Sequence, residues 1–214
     1  MSSSPLQLKA FIQAATQIIN EHAEEVTALD QAIGDGDHVF NLQRGLTALE
    51  GLADELAALN DWSTAFQKIG MSLMSSVGGA SGSLYGTFFL AMSKALNGKE
   101  LELPNLAVAF DHAVDAVKLR GKADLGEKTM LDVLIPVANV LRISTEESLT
   151  FDQILKNINL AAAAGCETTR DMIATKGRAS FLGDRARGHL DPGARTSQLM
   201  IEAITNVLAQ TAQS

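Results

Sequence analysis

Apolar residues recur at helical spacing along almost the whole chain. Over residues 6–28, Leu8, Phe11, Ile12, Ala15, Ile18, Ile19 and Val26 mark one face. A second stripe begins near Asn41 and runs through Leu42, Leu46, Leu49, Leu52 and Leu56. Asn60-Asp61-Trp62-Ser63 reads as a helix start, followed by Phe66, Ile69, Met71, Leu73 and Met74. Residues 84–96 are apolar nearly all round, which predicts a central helix. Pro104 opens the next helix, with Leu106, Phe110, Val114 and Val117 on one side and Gly121 as its stop. Thr129 and Asp132 resemble a capping pair at the head of residues 130–143, where Pro136 would kink the helix unless it falls in the first turns. Thr150 begins a helix expected to reach about residue 175, and Asp191-Pro192 starts the last one through Leu199, Ile201, Ile204 and Leu208. The pattern predicts eight helices and no strand, in one all-α domain spanning residues 1–214. Residues 177–190 form the longest non-helical stretch, and a loop of that length in a compact domain is usually functional or disordered.

Composition narrows the classes. With 46% hydrophobic residues the chain has ample material for a core, and with only 5% aromatics the abundant Ala and Leu favour helix over sheet. A net charge of −8 argues against a general nucleic-acid binder. The single cysteine, Cys166, cannot form an internal disulfide, and its Ala-rich setting suits a buried small residue better than a reactive thiol. The N-terminal stretch carries no apolar signal core, and no segment reaches the roughly 20 apolar residues of a membrane span. A cytoplasmic protein with no membrane or nucleic-acid partner is the expectation.

The run Asp30-Gln31-Ala32-Ile33-Gly34-Asp35-Gly36-Asp37-His38 sets three carboxylates and a histidine among two glycines. Carboxylates this close repel one another unless a cation sits among them, and a hard divalent ion such as Mg2+ takes such oxygen ligands. An EF-hand is excluded, because counting from Asp35 puts Val39 fifth and Leu46 twelfth. The competing explanation is a solvated acidic turn with helix caps at Asp30 and Asp37. For His38 a packed or solvated role competes with a phosphate contact.

Three further segments carry candidate chemistry. Gly78-Gly79-Ala80-Ser81-Gly82 leads into a helix, where free backbone N–H groups attract anions, although it lacks the Gly-Lys-Ser/Thr ending of a Walker loop. Taken alone, the segment is better explained as a small-residue loop that allows close helix packing. Lys176, Arg178, Arg185, Arg187 and Arg195 make a basic excess suited to phosphates, or to a solvated or docking surface. Residues 120–130 form a polar loop followed by Met130, which could border a nucleotide base or serve as an ordinary connection.

Taken together, these segments resemble the nucleotide-binding L subunit of dihydroxyacetone kinases, the same module as the C-terminal domain of the single-chain enzymes. The resemblance rests on Leu29-Asp30, Ile33-Gly34-Asp35-Gly36-Asp37-His38, Asn41 and Arg44-Gly45, then Ser75-Ser76-Val77-Gly78-Gly79-Ala80-Ser81-Gly82 and Tyr85-Gly86-Thr87-Phe88-Phe89. It continues in Arg120-Gly121-Lys122-Ala123, Gly126-Glu127-Lys128-Thr129-Met130, Lys176-Gly177-Arg178 and Gly188-His189 with Asp191-Pro192-Gly193.

The resemblance implies an eight-helix antiparallel barrel that holds ADP or ATP at one end through two Mg2+ ions. Asp30, Asp35 and Asp37 match its metal ligands. His38 and Asn41 match phosphate and metal-shell contacts, and Gly79, Ala80 and Ser81 match the phosphate loop. Gly121, Thr129, Met130, Arg178, Asp191, Pro192 and Gly193 fall where such proteins bind base and sugar. No side chain is assigned to catalysis. The implied partners are a K subunit that binds dihydroxyacetone or a related ketose and a phosphohistidine carrier protein of the phosphoenolpyruvate relay. A transcriptional regulator and a second copy of the chain are further candidates. One departure stands out: the run His38-Val39-Phe40-Asn41 replaces a glycine and a small or polar residue. Were that backbone at positive φ, Val39 would be strained.

Overall fold

The computed structural model describes residues 5–212; residues 1–4, part of the stretch read above for a targeting signal, and 213–214 lie outside it. Among the described residues there are nine α-helices and no strand. They are α1 (Leu8–Glu21), α2 (Ala23–Ile33), α3 (His38–Ala57), α4 (Trp62–Ser76), α5 (Gly79–Ala95), α6 (Leu103–Gly121), α7 (Leu131–Glu146), α8 (Phe151–Thr168) and α9 (Pro192–Ala212). Several capping signals act as read. Asp61 accepts the Thr64 N–H at 2.7 Å, and Thr150 and Gln153 form a reciprocal capping box. Thr129 and Asp132 make a related pair rather than a capping box, with Leu131 N–H donating to Thr129 Oγ1 and Thr129 N–H to Asp132 Oδ2.

Excluding α2, each helix packs on its neighbours in sequence, and α9 packs back on α1. The chain is therefore a closed antiparallel ring of eight helices, with α2 as a short cross-piece between its first two members. A continuous core fills the ring, and Trp62, Phe66, Phe89, Phe88 and Phe110 pass from α4 through α5 to α6 with ring centroids 5.1–5.8 Å apart. No helix among the described residues is long and apolar enough to cross a membrane.

Five boundaries differ from the sequence reading. The first expected helix is two, parted at His22 (φ −102°, ψ 12°), and its second half runs on to Ile33. α3 starts at His38 rather than Asn41, and α5 at Gly79 rather than residue 84. α8 stops at Thr168, well short of 175, and passes into a 3-10 turn, Thr169–Asp171. The expected irregular stretch 177–190 contains 3-10 turns over Arg178–Ala186, bent at Gly183. Val39 lies in the first turn of α3 and in the core, outside the positive-φ positions, so the anticipated strain is absent.

Pro136 leaves α7 as one helix, although it removes the N–H that would bond the Asp132 carbonyl one turn earlier. Gly165 of α8 packs on that carbonyl so closely that a Cβ would lie 2.1 Å from the oxygen. Gly165→Ala is therefore expected to push α8 from α7 and lower stability by about 2 kcal/mol, roughly 4–8 °C in Tm. Gly51, exposed in mid-α3 with nothing within 4 Å of an added Cβ, provides the opposite sign. Gly51→Ala should raise stability by up to about 1 kcal/mol through helix propensity alone. Thermal unfolding followed by circular dichroism checks both.

Candidate nucleotide and metal site

In an alternating ring every second connection falls at the same end. Here those connections are residues 34–37 after α2, 77–78 between α4 and α5, 122–130 between α6 and α7, and 169–191 between α8 and α9. They are the four segments singled out for chemistry in the sequence. Side-chain contacts between them confirm the shared location, for His38 bonds both Ser81 and Thr196, and Thr175 and Lys176 bond Glu127.

The acidic run is shaped by the end of α2. Ile33 is buried against Ala174 and Ala186 of the long loop, which fixes the helix terminus. Asp30, one turn back, is only 7% exposed, and its Oδ2 accepts the His38 N–H at 3.0 Å. Gly34 makes this possible, since a Cβ there would lie 2.1 Å from Asp30 Oδ1. Asp35 and Asp37 then turn back, so that one carboxylate oxygen from each of the three acids lies within 4.8 Å of the others. Among the described residues only Asp35 of the three has an ion-pairing partner, Arg178 at 2.8 Å. The cap reading fails in part, because Asp37 precedes α3 without a side-chain capping bond. A converging, all-oxygen set with a net negative balance is the donor chemistry of a hard divalent cation, and Asp30, Asp35 and Asp37 fit Mg2+.

Beside the acids stands the N-terminus of α5. Gly78 precedes it in extended conformation, Gly79 has φ +65°, and no side chain caps the first turn. Its N–H groups thus face the site end unpaired by a cap, the arrangement that holds anions. Gly78 also packs against Asn41, whose Oδ1 would lie 2.3 Å from an added Cβ. Asn41 is itself buried at the start of α3, so α3 and the turn before α5 are locked together. The His38 ring bridges them further, with Nδ1 3.1 Å from Ser81 Oγ and Nε2 3.0 Å from Thr196 Oγ1. Burial lowers its pKa against the pull of Asp30 and Asp37, so the imidazole is held neutral.

The second half of the site is built on a lysine the sequence did not flag. Lys128 is 1% exposed at φ +60°, and its Nζ donates to the carbonyls of Thr169 and His189. Both ends of the long loop are thereby tied to the α6–α7 connection. Asp191 N–H donates to Thr169 Oγ1, and Gly188 N–H to the Arg170 carbonyl, closing the neck. Burial lowers the Lys128 pKa, and burial pushes the Asp191 carboxyl up to about 7 although Ala194 N–H donates to it. Asp132, fully buried, is likewise raised by burial while accepting the N–H of Gly126 and Thr129. A lysine in a polar connection reads by default as a surface group, so nothing in the spacing of Lys128 announces this role.

Met130 is buried with Gly193 against it, so the Thr129-Met130 and Asp191-Pro192-Gly193 segments meet, while Gly121 closes α6 beside Leu84 of α5. Arg178 stands apart from that group, across the site at Asp35. The remaining basic residues do not converge. Lys176 pairs with Glu127, Arg187 with Asp184, and Arg195 with Glu25 on α2, while Arg185 is exposed. Cys166 is buried, with its thiol pushed up to about 12, as a packed and unreactive residue.

The family model described as the DAK2 domain matches residues 32–206. The chain is 43% identical over 186 residues to the ADP-binding subunit DhaL of the PEP-dependent dihydroxyacetone kinase 1 of Listeria innocua, covering 87% of this chain and 88% of that one. It is 39% identical over 207 residues to the corresponding subunit of Escherichia coli, covering 95% and 97%. The dihydroxyacetone kinase of C. freundii, solved with AMP-PNP and Mg2+, shares the fold at a TM-score of 0.72 and 25% identity. That alignment covers 96% of this chain and 34% of the larger enzyme. On these matches the chain belongs to the DAK2 domain family.

Proposed function

We propose that the chain, as one unit over residues 1–214, is the ADP- and ATP-holding subunit of a cytoplasmic dihydroxyacetone kinase. The carrying observation is the meeting of the Asp30, Asp35 and Asp37 oxygens with the uncapped N-terminus of α5, coupled through His38 and Ser81. The names of the Listeria and Escherichia relatives and the Mg–AMP-PNP complex of the C. freundii enzyme support the same reading. Bound Mg2+, two ions in this proposal, would neutralise charge on the phosphate oxygens and orient them for in-line transfer. The three carboxylates hold the metal, and the first N–H groups of α5, at Gly79, Ala80 and Ser81, hold phosphate oxygens. Asn41 and His38 fix that turn against the acids. Arg178, now paired with Asp35, is placed to exchange that partner for a phosphate. The Thr129-Met130 wall and the Asp191-Pro192-Gly193 turn form the pocket for base and sugar, with Gly121 beside it.

The acceptor is a ketose held on a separate K subunit, to which the γ-phosphate passes. The bound ADP is recharged in place by a phosphohistidine protein of the phosphoenolpyruvate relay.

The proposal is tested by nucleotide binding and by reconstituted phosphoryl transfer. Protein purified without added nucleotide should carry ADP, and Mg-ADP at 100 times its dissociation constant should stabilise it by about 2.7 kcal/mol. Asp35→Ala should lose the retained nucleotide while keeping the helical circular-dichroism signal, and unchanged retention would remove Asp35 from the site. In a reconstituted mixture, dihydroxyacetone phosphate should form from phosphoenolpyruvate only when this chain, the K subunit and the phosphohistidine relay are all present. Product formed equally well without this chain would refute its role as the transfer subunit.

A further inference from the structure

The groups that hold the two ring nitrogens of His38 are not equivalent. On the Nε2 side stands Thr196, fully buried, 3.0 Å from the ring and 3.2 Å from the Gly193 carbonyl. A hydroxyl has one hydrogen, and a carbonyl oxygen can only accept. With the Thr196 hydrogen on Gly193, the neighbouring ring nitrogen must be the donor. Tyr85, also buried, closes the remaining side, 3.3 Å from Thr196 Oγ1 and 3.0 Å from Ser197 Oγ. The Ser197 hydroxyl in turn donates to the same Gly193 carbonyl at 2.8 Å. One arrangement gives both hydroxyls the Gly193 carbonyl as acceptor, with Tyr85 donating to Ser197 and His38 Nε2 to Thr196.

We propose that Thr196, backed by Tyr85 and Ser197, is a positioning residue that fixes His38 as the tautomer with hydrogen on Nε2, leaving Nδ1 to accept from the Ser81 hydroxyl. The consequence deepens the function proposed above and rests on it. With its hydrogen committed to His38, Ser81 turns lone pairs toward the site and suits a cation better than an anion. The phosphate at α5 is then held by backbone N–H groups. The opposite tautomer would donate from Nδ1 and free the Ser81 hydrogen for a phosphate oxygen.

The test is a long-range 1H–15N correlation spectrum of the full chain labelled with 15N-histidine, at mildly alkaline pH and without nucleotide. Among the four histidines, His38 is assigned by the signals lost in His38→Gln. The expected pattern is a protonated, pyrrole-type Nε2 and an unprotonated, pyridine-type Nδ1. Thr196→Val should give mixed tautomers and weaken Mg-ADP binding about tenfold, and Thr196→Ser should restore both. A protonated Nδ1 in the unmodified chain overturns the proposal, as does an unchanged pattern in folded Thr196→Val. Should Thr196→Val not fold, the unmodified spectrum and Thr196→Ser still decide. Failure of Mg-ADP to bind the unmodified chain would count against the function alone, because the tautomer is read without it.

Discussion

A closed antiparallel ring with an even number of helices has no choice about where its connections go: alternate ones share an end. That constraint lets a chain without strands concentrate its chemistry. The acidic turn, the glycine turn before α5, the Lys128 connection and the long basic loop lie far apart in sequence, with 158 positions between His38 and its partner Thr196, and meet because they are odd-numbered connections of the ring. Closure of α9 on α1 is what brings the last of them round to the first, and the Glu25–Arg195 ion pair (2.7 Å) fastens α2 to the start of α9 at that point. The other end carries the Asp61 and Thr150 caps and none of the candidate ligands.

The uncapped start of α5 stands beside three carboxylates that converge without an equal number of basic partners. The acids are held by the fold itself, since Asp30 is fixed through the His38 N–H and Ile33 anchors the helix that carries it. Arg178 offsets part of the charge at Asp35, but it does so from an exposed loop position, where an ion pair contributes little to stability. The pairing is thus replaceable. In the proposed function a divalent ion entering the cluster would compete with Arg178 for Asp35, and the released guanidinium would be free to meet the phosphate that accompanies the metal. Lys128 has the contrasting role: buried and bonded to two carbonyls, it holds the neck of the same loop in place.

Much of this was legible in the chain because the ring is built from amphipathic helices with conventional starts. Asp61 and Thr150 cap as their spacing predicted, and Thr129 and Asp132 form a related pair. The acidic cluster was legible because its residues are neighbours in sequence. What escaped has physical reasons. The break at His22 lies in an unbroken apolar period and carries neither glycine nor proline, so no local signal separates α1 from α2. α5 begins five residues early because glycine and serine, poor helix formers, are tolerated where the first turn needs close approach rather than propensity. The burial of Lys128 and the Thr196–Tyr85 network depend on contacts between helices far apart in sequence, which periodicity cannot encode.

The same geometry settles what the run His38-Val39-Phe40 does. A residue following His38 is already inside α3, so its backbone is helical and a β-branched side chain meets no positive-φ penalty. Val39 turns inward and is 4% exposed, contributing to the core that supports the site. Phe40 turns outward at 63% exposure, and the guanidinium of Arg44, 5.8 Å from its ring centre, donates to the Ser76 carbonyl at the end of α4. Neither side chain is directed at the carboxylates. The departure from the pattern therefore falls on the packing beneath α3 and on the rim outside it, and the three converging carboxylates are untouched because helix periodicity turns both residues away from them.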